Sequence, residues 1–320
     1  MFALLHYKMR VFTDLEILTS IKNPVVTIGT FDGVHLGHQK IIEQLNSIAK
    51  KVGGESVLFT FHPHPRMVLY PDSHGVKLLQ TQEEKQDKLE RTGLQNIILY
   101  PFTTEFSRLT AFEFVRNILV NKINVKHVVI GYDHHFGKNR EGTITYLKEM
   151  GEIFDFDVTE INVKQIDEVN VSSTKIRNAL KDGEVEVANS YLDEHYFLKG
   201  KVIHGNGLGK TIGFPTANLL PESNLKIIPK TGVYAVKVEL ADGIEHLGMM
   251  NIGLNPTMNQ QNENSLEVHL LDFKDDLYSQ EMTVHFLKRL RDEQKFSSTE
   301  ALIEQLKQDE KDTRSINITN

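Results

Sequence analysis

Two stretches of the chain hold residue types and spacings that could handle phosphate. The first, GTFDGVHLGHQKII, begins at Gly29. Gly29 and Gly33 let a backbone approach a ligand closely. His35 and His38, three residues apart, fall at the opening of the helix that Ile41, Ile42, Leu45 and Ile48 predict by their spacing. Free amides and the helix dipole there favour an anion, and two imidazole donors could stabilise charge developing on phosphate oxygens during transfer. A His pair that only caps and packs is the plainer alternative, and a metal would need third and fourth ligands that are not apparent nearby.

The second stretch, HGNGLGKTIGFPTANL, begins at His204. Three residues separate Gly205 from Gly209, one short of a nucleotide-hydrolase P-loop, and Gly213 and Pro215 oppose the helix that such a loop requires. The Walker reading fails, and a flexible turn remains open. Thr216 and Asn218 lie two residues apart, on one side of an extended segment, and offer hard oxygens suited to Mg²⁺ shared with substrate phosphates. Further on, SLEVHLLDF alternates as a strand, with Leu266, Val268 and Leu270 on one face and Glu267 and His269 on the other. A carboxylate there is ordinarily solvated.

The elements around these stretches set their context. From PVVTIGTF to KHVVIGYD, strand-like runs alternate with helical ones (HQKIIEQLNSIAKK, QEEKQDKLERTG closed by Gly93, AFEFVRNILVNKI), which implies a parallel sheet covered on both faces. Ligands of such sheets sit beyond the carboxyl ends of the strands, and GTFDGVHLGH, TFHPHP and GYDHHFG all lie there. After STKIRNALKDGEVEVANSYL, one or two helices, short extended runs follow without helices between them, which implies an antiparallel barrel or sandwich. A last helix, STEALIEQLKQ, is expected to start from a Ser297/Glu300 capping box and to turn Leu302, Ile303 and Leu306 inward. The boundaries expected are 1–185, 186–308 and a polar, disordered tail from 309 to 320.

At 320 residues two domains are the default, and a formal net charge of −7 argues against a mainly electrostatic nucleic-acid binder. Cysteine is absent, so there is no disulfide framework or thiolate metal site. The opening MFALLHYKMR has too short an apolar run for a signal peptide, and no stretch approaches spanning length. A cytoplasmic enzyme acting on small molecules, with neither membrane nor nucleic acid as partner, is the expectation. Its oligomeric state is not legible, and weak self-association is compatible with the sequence.

The whole strings are more specific than their pieces. GTFDGVHLGH, TFHPHP, GYDHHFG and VSSTKIR resemble, in order, the flavin adenylyltransferase branch of the nucleotidylyltransferase superfamily. GKVIHGNGLGKTIGFPTANL, GVYA, NIGLNPT, EVHLLDF and LRDEQKF resemble the riboflavin kinase module, in the arrangement of bacterial bifunctional riboflavin kinase/FAD synthetases. The resemblance implies a Rossmann-like nucleotidylyltransferase domain with a parallel sheet, then an antiparallel β-barrel with a terminal helix. It implies that ATP converts riboflavin to FMN, and that FMN attacks the α-phosphorus of a second ATP to give FAD and pyrophosphate, with Mg²⁺ as cofactor. In the first module it places Gly29, Phe31, Asp32, Gly33, His35 and His38 on ATP phosphates, with Ser172, Ser173, Thr174 and Arg177 as a second phosphate clasp. Ser172 or Ser173 could equally be a helix N-cap. Asp133 matches a family position, and His62 and His64 are second-rank candidates in what could be only a rigid Pro-bracketed loop.

His134 and His135 replace an aromatic and an arginine common in relatives and are given no role. In the kinase module the resemblance sets ATP against Gly205, Gly207, Gly209, Lys210, Thr211 and Gly213, puts Mg²⁺ on Thr216 and Asn218, and makes Glu267 the base for the ribityl hydroxyl. Arg291 matches a flavin-side residue, with an ion pair to Asp292 or Glu293 as the alternative, and Lys210 replaces a common arginine and loses its fork. The competing readings are one active module with the other degenerate, a non-catalytic flavin or nucleotide sensor, and an RNA-binding barrel.

Overall fold

A computed structural model describes residues 8–71, 77–131, 134–161, 171–205, 208–254 and 264–316. The chain divides into two compact units, Met1–Ser173 and Thr174–Asn320.

In the first unit, strands β1 (Arg10–Phe12), β2 (Pro24–Ile28), β3 (Glu55–His62), β4 (Asn96–Pro101), β5 (His127–Gly131) and β6 (Asp157–Ile161) form one sheet in the order β1-β4-β3-β2-β5-β6. Every pairing is parallel. All of β2 is buried, because both faces are covered. Successive side chains go to opposite cores: Val26, Val57, Phe59 and Val128 to one, Val25, Leu58, Ile97 and Val129 to the other. The order turns at β2, with β3 and β4 to one side and β5 and β6 to the other, so the loop leaving β2 opens on the crevice where such sheets bind ligands.

Helix α1 (Leu36–Lys51) follows that loop and sinks Ile42, Leu45 and Ala49 into the second of these cores, with Ile41 and Ile48 packed at its edge. Next come α2 (Pro65–Leu69) and α3 (Gln82–Arg91), the latter started by a Thr81/Glu84 capping box. The expected helix AFEFVRNILVNKI begins as α4 (Ala111–Glu113) and continues as a π-helix, Phe114–Val120. Bonds from Asn121 N to Arg116 O and from Ile123 N to Ile118 O span five residues there. Helix α5 (Ile144–Phe154) completes the layers.

In the second unit, β7 (Phe197–Ile203), β8 (Ala217–Pro221), β9 (Gly232–Leu240), β10 (Glu245–Leu254), β11 (Asn264–Leu270) and β12 (Glu281–Arg291) form a closed barrel, β10-β11-β8-β7-β12-β9, with every pairing antiparallel. Tyr234 and Phe286 fill its interior at 0 % exposure. The division at Ser173/Thr174, rather than near residue 185, arises because α6 (Ser173–Asp182) and α7 (Val185–Leu192) belong with the barrel. The Lys230 amide donates to the Leu180 carbonyl (3.0 Å), and the Asn189 side chain donates to the Phe286 carbonyl (2.8 Å) while accepting from the Tyr196 amide (2.7 Å).

A single turn, α8 (Leu208–Thr211), interrupts the glycine-rich loop. The last helix, α9 (Thr299–Arg314), is capped by Ser298 rather than Ser297, with its hydroxyl accepting from the Ala301 amide. It also continues through Arg314, where a disordered tail from 309 was expected. The charges that suggested disorder are used in pairing: Asp309, 1 % exposed, accepts from Arg291 Nη2 (2.7 Å), and Arg314 meets Asp272 (2.7 and 2.9 Å).

A fragment Thr174–Asn320 is expected to unfold cooperatively in guanidinium followed by circular dichroism. One starting at Glu186 loses Ile176, Ala179 and Leu180, all buried, and unfolds at a lower midpoint because each large apolar side chain contributes about 1.5–3 kcal/mol. Equal midpoints would show that α6 does not support the barrel.

Candidate functional site

The loop after β2 is held in a shape that few sequences tolerate. Phe31 (φ 49°), Gly33 (φ 90°) and Val34 (φ 37°) all occupy the left-handed region, and for two non-glycine residues that is stored strain. A Cβ on Gly29 would come within 2.9 Å of the Phe31 ring, so glycine is required for the ring to fold back. Asp32, 5 % exposed, accepts from the amides of Leu79 (3.1 Å) and Gln80 (3.3 Å), which fixes the turn from behind.

His35 is the N-cap of α1, its Nδ1 accepting from the His38 amide (3.4 Å). Its ring stacks on His38 at 3.7 Å, and His38 in turn stacks on Phe31 at 4.4 Å. Burial first, then the neighbouring His35, Lys85 and Lys88, push His38 well below the usual imidazole range. His38 is therefore neutral at physiological pH, able to donate one N–H, and its buried Nδ1 has no protein partner. Ser173 donates to the Asp32 carbonyl (2.8 Å), which ties that residue to this loop. Ser172 and Thr174 are exposed and Arg177 half-buried in the same segment.

His64 caps α2 through Nδ1 to the Arg66 amide (3.2 Å), and His62 is exposed. Asp133 and Gly207 lie outside the described residues.

In the barrel, Glu267 pairs in register with Asn218 of β8 on one side and Asn251 of β10 on the other, and directly opposed residues share a face. Since Leu266, Val268 and Leu270 point into the barrel, this polar row lies on the outer surface. Thr216 Oγ1 donates to Glu267 Oε2 (3.3 Å), and His269 Nδ1 donates to the Pro215 carbonyl (2.7 Å), which fastens the segment entering β8 over β11. Covered by α9 and the 209–216 segment, Glu267 and Asn251 of this row, with Thr216 and His269, form the polar wall of a cavity of about 320 Å³. Phe214, Ile212, Val233, Met249, Leu302 and Leu306 make its apolar wall.

Arg291 also faces this cavity, engaged with Asp309 rather than with the side chain of Asp292 or Glu293. Gly209 is forced to be glycine by the Phe214 carbonyl, 2.2 Å from where a Cβ would sit; Gly213 (φ 86°) allows the turn; Lys210 and Thr211 are exposed. A Cβ on Gly205 would lie 2.0 Å from Asn218 Nδ2.

Sequence reasoning did not single out Lys85, Lys88, Asn251 or Asp309. Lys85 and Lys88 are 7 % and 5 % exposed. With Leu89 they make an i, i+3, i+4 stripe, the signature of an inward face; that was the available signal. Asn251 and Asp309 act through strand register and helix continuation, which leave no local trace.

A parallel sheet with an anion-receptive loop at its turning point, followed by a closed barrel with a carboxylate at an apolar cavity, defines a two-module nucleotide-dependent transferase. The family model described as FAD synthetase matches residues 18–175, and that described as riboflavin kinase matches residues 192–317. Curated proteins called bifunctional riboflavin kinase/FMN adenylyltransferase are 43 % identical in Listeria monocytogenes (92 % of each chain), 39 % in Bacillus subtilis (90 % of each) and 37 % in Escherichia coli K12 (89 % of this chain, 90 % of that one). A Streptococcus pneumoniae crystal structure described as a macrolide-efflux protein shares the fold, with TM-score 0.85 and 33 % identity over 97 % of this chain and 100 % of that one. No helix among the described residues is long and apolar enough to cross a membrane.

The chain belongs to the bifunctional riboflavin kinase/FMN adenylyltransferase family. It phosphorylates riboflavin with ATP to FMN and adenylylates FMN with ATP to FAD and pyrophosphate.

Gly205→Ala is expected to displace the Asn218 amide and lower riboflavin phosphorylation at least ~10-fold, the scale of a misplaced positioning group. FMN adenylylation by the same protein is expected to stay within about twofold, because the loop lies in the other module. Single-step rates with riboflavin or FMN as the starting flavin check this; unchanged phosphorylation would mean that Gly205 does not shape the site.

Proposed function

We propose that the two reactions are carried by two separate sites, the outer wall of the barrel for phosphorylation and the loop after β2 for adenylylation. The observation that carries the first assignment is Thr216 Oγ1 at 3.3 Å from Glu267 Oε2, with Asn218 directly opposite in register, at the mouth of an apolar cavity. The cavity suits a flavin ring, and Glu267 takes the proton from the terminal ribityl hydroxyl as that oxygen bonds to the γ-phosphorus of ATP and ADP leaves. Arg291, held by Asp309, presents a fixed cation at the flavin side.

Thr216 and Asn218 supply oxygen donors, and the absence of a side chain at Gly205 leaves room beside them, a set that fits Mg²⁺ shared with phosphates. Bound there, Mg²⁺ would offset the charge of the polyphosphate.

In adenylylation, an FMN phosphate oxygen attacks the α-phosphorus of ATP and pyrophosphate departs, so positioning and charge stabilisation suffice. His35 and His38 are donors toward the transferring phosphate, joined by the N-terminal dipole of α1 and by the hydroxyls of Ser172 and Ser173. The substrates are small metabolites of the cell interior, which suits a cytoplasmic enzyme, and the acidic net charge of −7 disfavours a nucleic-acid partner.

Glu267→Gln keeps the shape but removes the base, so FMN formation is expected to fall by roughly 10²–10⁴-fold with FAD formation from FMN nearly unchanged. His38→Ala is expected to cost on the order of 10² in FAD formation while FMN accumulates. Equal losses in both steps for either variant would point to one shared site. With EDTA both products are expected to vanish; persistence of either without divalent metal would remove Mg²⁺ from that step.

A further inference from the structure

Beside Glu267 the barrel wall carries a second polar patch, gathered over a glycine. Gly253 of β10 pairs in register with Ser265 of β11, two residues along each strand from the Asn251/Glu267 pair, so the four positions share the outer face. A Cβ on Gly253 would sit 2.7 Å from Glu293 Oε1, 3.1 Å from Ser265 Oγ and 3.3 Å from Asn251 Nδ2. Three polar side-chain atoms therefore converge on one point, and only a glycine leaves room for them. Asn251 and Glu293 line the same cavity as Glu267.

Among the described residues, none of these three side chains is hydrogen-bonded or ion-paired. Arg291, two positions before Glu293, directs its bonds to Asp309 and to the Asp292 carbonyl (3.1 Å). The hydrogen-bonding capacity of the patch is thus open to a ligand.

The chemistry of the three groups selects that ligand. A carboxylate only accepts hydrogen bonds, an amide nitrogen only donates, and a hydroxyl does both. A phosphate would meet like charge at Glu293, and an apolar ring would strip all three groups of water and give nothing back. Alcohol hydroxyls, donor and acceptor at once, satisfy the whole set. Riboflavin joins its ring to the reacting terminal hydroxyl through a chain that carries further hydroxyls. Neighbouring positions on one strand face are about 7 Å apart, a span that an extended ribityl chain reaches from Glu267.

We infer that Asn251, Ser265 and Glu293 form a hydroxyl-reading subsite beside Glu267, which binds the inner hydroxyls of the ribityl chain and makes phosphorylation selective for a polyol. The inference rests on reading the barrel wall as the phosphorylation site.

The test compares riboflavin with an isoalloxazine that carries a 5-hydroxypentyl chain at N10, which keeps the reacting hydroxyl and lacks the inner ones. Phosphorylation of both is measured at saturating ATP for the wild-type chain, Glu293→Ala, Gly253→Ala and Glu267→Gln. In Gly253→Ala the added methyl group meets the Glu293 carboxylate, the free end of a flexible side chain, and pushes it off the patch. The wild type is expected to favour riboflavin by roughly 10-fold or more in kcat/KM, the scale of one hydrogen bond to a charged group. Glu293→Ala and Gly253→Ala are expected to lose most of that preference through a higher KM for riboflavin at little change in kcat, as when binding common to ground and transition states is removed. The pentyl analogue is expected to stay within about twofold of wild type in both, because it makes no contact with the patch, and this also shows that the barrel is folded.

Equal kcat/KM for the two flavins in the wild type overturns the inference. So does a loss that falls equally on both flavins in Glu293→Ala and Gly253→Ala, or no loss on either. If Glu267→Gln is impaired on both flavins, such a result sinks only the hydroxyl-reading subsite; if Glu267→Gln is unimpaired, the assignment of the phosphorylation site fails and the subsite with it.

Discussion

A backbone can offer its amides to a polyphosphate only if its carbonyls are satisfied somewhere else, since each buried polar group needs a partner. Much of the first unit follows from that constraint. The loop after β2 is short and strained, with Phe31 and Val34 in the left-handed region, and its shape depends on α3 reaching under it with two lysines, on Asp32 receiving the Leu79 and Gln80 amides, and on Ser173 arriving from a distant part of the chain. The sheet order, turning at β2, is what leaves this loop at an open crevice.

The barrel meets the same demand by different means. A polar row crosses three of its strands, Asn218, Glu267 and Asn251, aligned by register, and Glu267 and Asn251 line the cavity. Gly205 approaches Asn218 of that row closely, and Gly209 approaches the Phe214 carbonyl. Helix α9 closes the apolar side with Leu302 and Leu306 and pins Arg291 through Asp309, so the C-terminal segment is part of the site. A stacked His pair in one module and a carboxylate in the other suit the proposed assignment, since adenylyl transfer from an ionised phosphate needs donors and phosphorylation of a hydroxyl needs a base.

The central strands and the α1 pattern were legible because their burial follows a period of 2 or 3.6 without interruption. The edges were not: β1 has two of its three residues exposed, and β6 is exposed or half-buried except at Ile161, so neither shows an apolar pattern. Which core α6 and α7 join was not legible, because they look the same in sequence either way; the Leu180 and Asn189 bonds join them to the barrel strands and the segment before β9. Among candidate site residues, glycines and histidines stood out by type and spacing, as did Thr216 and Asn218, whereas Glu267 was marked only by the family resemblance. Lys85 and Lys88 did not, since lysine in a polar helix reads as solvated until its stripe is compared with Leu89. Asp309 was hidden by the charged residues around it, whose partners on the barrel, Arg291 and Asp272, are distant in sequence.

That two distinct nucleotide sites coexist in one chain is tested most directly by the stoichiometry of a non-hydrolysable ATP analogue, measured by titration calorimetry in the presence of Mg²⁺. The account predicts two analogues bound per chain, with one class of site lost in Gly205→Ala and the other weakened in His38→Ala. A single analogue per chain, weakened alike by both substitutions, would contradict it.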